Sequence, residues 1–122
     1  MRKGIYFSLL LATLAACIQE DNKALLIGDW QGASWTIGGA DSGRDVADVK
    51  FSFRENYTYT ASYGNSNEQG TYRLTEKKLY TTAEGANQAE KMVELASISA
   101  DSIVMNMNRV GTAEQLILVK QK

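Results

Sequence analysis

The stretch VKFSFRENYTYTASY, residues 49–63, alternates twice with a turn between. Val49, Phe51 and Phe53 face one way, and Lys50, Ser52 and Arg54 the other. That period of two marks a strand with one face buried. Glu55-Asn56 turns the chain. From Tyr57 to Tyr63 aromatic and hydroxyl side chains alternate, a composition that favours strands.

The same rhythm runs outward in both directions, with turn signals about every ten residues, as in all-β sandwiches and barrels. Upstream, residues 26–37 read as a strand bent at Gly32, and residues 38–44 as a loop. The strand around Phe51 spans residues 46–54. Downstream, residues 64–67 turn the chain and residues 69–74 form a strand. Residues 75–78 turn again before a short strand at 79–82. A longer connection covers residues 84–90. Strands at 91–98, 102–109 and 113–120 complete the set. Eight strands with short connections pair as sequence neighbours. An even number closes into an antiparallel up-and-down meander barrel and leaves no edge exposed. With no proline anywhere, Gly, Asn, Asp and Ser must make the turns.

The amino terminus has its own pattern. Arg2 and Lys3 precede an apolar run from Ile5 to Ala16. The run is too short to span a bilayer, which needs about 20 residues. A positive head, a short apolar stretch and small residues describe a secretory signal peptide. Leu14-Ala15-Ala16-Cys17 resembles the lipobox of bacterial lipoproteins. The resemblance implies cleavage before Cys17 and a diacylglycerol on its sulfur. Cys17 is the single cysteine in the chain, and a leftover cysteine in a secreted protein needs a partner or a modification. The expected division is a signal peptide at 1–16, lipidated Cys17 with a polar tether at 17–24, and one domain at 25–122. Two or more acyl chains anchor a protein stably at a bilayer surface. Glu20-Asp21 just after the cysteine resembles the export signal of surface lipoproteins in Bacteroidota, or is a solvated linker. The expected location is the outer membrane, lipid-anchored, on its periplasmic or its outer face.

Composition narrows the function. The chain has 13 Lys and Arg against 14 Asp and Glu, and no histidine. Removal of residues 1–16 takes two of the cations and leaves a mildly acidic protein, which argues against nucleic acid as a partner. Without histidine the commonest general base and metal ligand are both missing. No Ser-His-Asp or Cys-His arrangement is possible, and no carboxylate pair stands out. The expectation is a protein that is not an enzyme and carries no cofactor or metal.

Gly28-Asp29-Trp30 opens the first strand. The aromatic hairpin from Phe51 to Tyr59, Gly70-Thr71-Tyr72, and residues 98–105 follow in order. This series resembles the small lipocalin-like domains of Bacteroidota lipoproteins. The resemblance implies that Trp30 plugs one end of the barrel and that Gly28 permits a close approach there. It also implies a late-strand cation across Trp30, with Arg109 the candidate and Lys120 the substitute. A ligand would be lined by Trp35, Phe51, Phe53, Tyr59, Tyr72, Met105 and Met107. Tyrosine offers a polar handle in an apolar site, and methionine adapts its shape. These residues serve equally as a filled core, since eight strands enclose an interior just wide enough for side chains. Tyr57, Tyr59 and Tyr63 are expected to point inward; outward, they would form a recognition stripe. Two functions remain: an anchored binder of a small apolar molecule, or a filled barrel that docks or inhibits an envelope protein.

Overall fold

The structure, a computed structural model, describes residues 22–85, 89–109 and 111–122. The expected signal peptide, Cys17 and residues 18–21 lie outside them. Alternation carries the chain through β1 (Gly28–Ile37), β2 (Ala40–Asp41), β3 (Val49–Phe53), β4 (Thr58–Tyr63), β5 (Ser66–Thr75), β6 (Lys78–Ala83), β7 (Glu90–Ile98), β8 (Ser102–Arg109) and β9 (Thr112–Lys120). Every pairing is antiparallel. Neighbours in sequence pair from β3 to β9, and β1 pairs with both β3 and β9. The eight long strands are therefore a closed meander barrel. The two-residue β2 hangs from the end of β1, with Thr36 opposite Asp41 and Ile37 opposite Ala40.

Closure is set by register. Trp30 stands opposite Phe51 on β3 and Lys120 on β9, and Trp35 stands opposite Leu116. Between Gly32 and Ser34 the β1–β9 register slips by one residue. Such a bulge bends a strand and increases its twist, and β1 needs both to serve two partners. The inward positions form a single core that includes Trp30, Phe53, Tyr59, Leu79, Leu95, Ile103, Leu116 and Leu118, each at most 2% exposed. Burial of this apolar surface is the main favourable term in folding.

Four local features depart from the sequence reading. Residues 46–48 form a 3₁₀ turn rather than the start of β3, because the Asp45 side chain accepts the Ala47 N–H and caps it. Tyr57 lies in the turn with φ 65° and is half exposed, so it leaves the inward tyrosine set. The β4–β5 turn is only Gly64-Asn65, since Tyr63 already pairs with Ser66. Finally, residues 22–26 form a helical turn where a tether was expected to run to residue 24. Leu26 explains it: fully buried, it anchors the turn across one end of the barrel. Asn22 donates to Glu76 O at 3.1 Å, and the Lys23 ammonium donates to Glu55 O at 2.8 Å.

Candidate functional site

The barrel has two unlike ends. At the closed end, the Trp30 indole is 1% exposed and its Nε1 donates to Leu26 O at 2.8 Å. The Lys120 Nζ sits 4.8 Å from the Trp30 ring centroid and donates to Ile27 O at 2.6 Å. A cation over an indole face is held by the ring quadrupole. Gly28 makes room for it, because a Cβ there would stand 2.6 Å from Lys120 Cε. Its φ of 136° also suits glycine and few other residues. Arg109 lies elsewhere. It pairs with Thr112 at the far end of β8, whereas Lys120 is the register partner of Trp30. The late-strand cation on Trp30 is thus Lys120.

Above this plug the barrel is filled. Phe53 stands edge-on to Tyr72, with ring centroids 5.3 Å apart. The Tyr72 hydroxyl donates to Arg54 O at 2.6 Å. Burial pushes this phenol up to about 12, with the charges of Tyr57 and Glu55 adding to the shift.

Toward the other end the side chains part around a calyx of about 290 Å³. Of the seven candidate lining residues, five border it: Trp35, Phe51, Tyr59, Met105 and Met107. Phe53 and Tyr72 do not, being packed below. Leu79, Val93 and Leu116 complete the apolar wall, and Tyr63 stands edge-on to Phe51 at 5.6 Å.

The polar groups are fewer and sharply placed. The Tyr59 hydroxyl donates to Glu68 Oε2 at 2.5 Å, and Trp35 Nε1 donates to Glu114 Oε1 at 2.9 Å. Burial, reinforced by the Glu68 carboxylate, holds the Tyr59 phenol above the usual tyrosine range. Glu114, only 6% exposed, is a carboxylate on the inward face that Leu116 and Leu118 share. Arg44 lies over the Trp35 ring at 4.7 Å, and Lys91 borders the same cavity. The sequence reading missed all four charged groups. For Glu114 and Lys91 the signal was present, as charges in step with an apolar face. Glu68 fell between the turn read at residues 64–67 and the strand read at 69–74. The seat of Arg44 depends on how the loop after β1 folds back, with Ser42 N donating to Trp35 O at 2.9 Å.

A closed meander barrel with Gly-x-Trp at its first strand and a cation across that Trp is the arrangement that the resemblance to lipocalin-like domains implies. The sequence matches the lipocalin-like domain family over residues 26–105. This chain belongs to the lipocalin-like domain family. Two crystal structures share the lipocalin-like fold. One is a lipocalin-like protein from Bacteroides uniformis ATCC 8492, 16% identical, with a TM-score of 0.61 over 80% of this chain and 99% of that one. The other is an uncharacterized protein from Bacteroides eggerthii DSM 20697, 13% identical, with a TM-score of 0.62 over 79% of this chain and 99% of that one. No match is found among the curated proteins. In this lipocalin-like barrel Arg44, Glu68 and Lys91 border the calyx, and the closed end is sealed by Trp30, Leu26 and Lys120.

Proposed function

We propose that this chain is a lipid-anchored envelope protein that binds, without chemical conversion, a small apolar molecule in its calyx. The observation that carries the reading is the 290 Å³ space itself. It lies at the small end of ligand sites, which are concave, mostly apolar and carry a few placed polar groups. A filled barrel would instead leave Trp35, Met105 and Met107 packed on one another, with no room between them. Here rigid aromatic walls face two adaptable methionines, which favours the binder over the docking protein.

The anchor rests on sequence. The lipobox at Leu14–Cys17 supports acylation of Cys17, and the polar residues after it support attachment to the outer membrane. Native mass spectrometry of the purified protein tests the binding reading. A bound species of a few hundred daltons that leaves on denaturation is the expected result. A protein that stays at its bare mass after exposure to envelope lipid extracts and small aromatic metabolites counts against it.

A further inference from the structure

The charges at the calyx mouth differ in what they already touch. Both carboxylates have inward donors: Tyr59 O–H serves Glu68, and Trp35 Nε1 serves Glu114. The two cations have no such partner. Among the described residues, neither Arg44 nor Lys91 lies within ion-pair distance of a carboxylate; the one such pair is Arg73 with Glu90, on the outer face. Arg44 lies over the Trp35 ring face, a contact that positions its guanidinium and spends no ion pair. A planar guanidinium fork matches a carboxylate bidentately. Lys91 follows Thr81 in register at the top of the β6–β7 pair, bordering the same cavity.

We propose that the calyx selects a small amphiphilic acid, its aromatic or short aliphatic body among Phe51, Met105 and Leu116 and its carboxylate at the mouth against Arg44 and Lys91. The volume limits the body to one ring or a short chain. An amine of the same shape meets the like charges of Arg44 and Lys91 at the entrance and is disfavoured. The proposal rests on the calyx reading above and adds the sign of the head group.

Three probes with one body separate the two ideas: 4-phenylbutyrate, 4-phenylbutan-1-ol and 4-phenylbutylamine, titrated calorimetrically into the full chain. The acid is expected to bind at least tenfold tighter than the alcohol, and the amine weakest. The double variant Arg44→Gln/Lys91→Gln should bring the acid down to the affinity of the alcohol, the ratio of the two falling from at least tenfold to about one. If the alcohol or amine binds as well as the acid, or if the double variant keeps the preference, the calyx reading stands and the acid proposal falls. If none of the three binds, both fall.

Discussion

Tyr59 and Tyr72 are the two residues at which chemistry and fold stability meet most directly. Each buries a ring and spends its hydroxyl, Tyr59 on Glu68 and Tyr72 on Arg54 O. Burial makes the phenolate costly in the folded state, so the folded protein binds the phenolic proton more tightly than the unfolded chain does. An unfolded tyrosine loses it near pH 10. Below that, both states hold the proton and the two phenols make stability independent of pH. Above it the unfolded state is favoured by ionisation while the fold is not, and stability falls as pH climbs toward about 12, where Tyr72 itself titrates. Urea midpoints measured between pH 8 and 11.5 should be level at first and then drop. In Tyr72→Phe the drop should be shallower, against a lower plateau caused by the lost hydrogen bond. An equal slope in wild type and variant would show that Tyr72 ionises alike in both states.

At the scale of elements, Gly70 is constrained by backbone. It sits inside β5 opposite Ala83, where a Cβ would run into Thr82 O. The obstacle is backbone, and backbone cannot swing aside as a side chain does. Gly70→Ala is therefore expected to cost at least the ~1–3 kcal/mol of ordinary overpacking, seen as a lower urea midpoint. Hydrogen exchange should place the loosened amides in β5 and β6. A midpoint within error of wild type would mean the pair shifts freely. Alternation made the eight long strands legible, because each buries one face, and the inward Trp35, Phe51, Phe53 and Tyr59 followed from it. What it left out was decided by contacts distant in sequence. The bulge after Gly32 lets β1 change partners, and the Asp45 cap turns residues 46–48 into a 3₁₀ turn. Arg109 and Lys120 are both cations of late strands. Only the antiparallel closure of β9 on β1, which no local pattern encodes, puts Lys120 and not Arg109 across Trp30.

The whole molecule is polar in the directional sense. The turns at residues 54–57 and 76–77 gather at the Trp30 end, and the helical turn at 22–26 is pinned there by Lys23 on Glu55 O and Asn22 on Glu76 O. The turn at Gly64-Asn65 and the loop carrying Arg44 stand at the calyx mouth. If Cys17 carries lipid, four residues separate the anchor from Asn22, and the five steps between them reach at most about 18 Å at full extension. Such a tether holds the closed end toward the bilayer and turns the mouth toward the aqueous phase. A ligand of the proposed kind would then enter from solution, without passing through the membrane. The prediction is directional. Fluorescent labels on Glu55→Cys and on Asn65→Cys, each in vesicle-bound lipoprotein, should differ in quenching by nitroxide headgroups. The label at 55 should be strongly quenched and the label at 65 weakly. With Cys17→Ser in either background, the protein should leave the vesicles and neither label should be quenched. Equal quenching at the two positions would mean that the barrel lies on its side or tumbles on a slack tether, and the calyx would then be free to draw its ligand from the lipid.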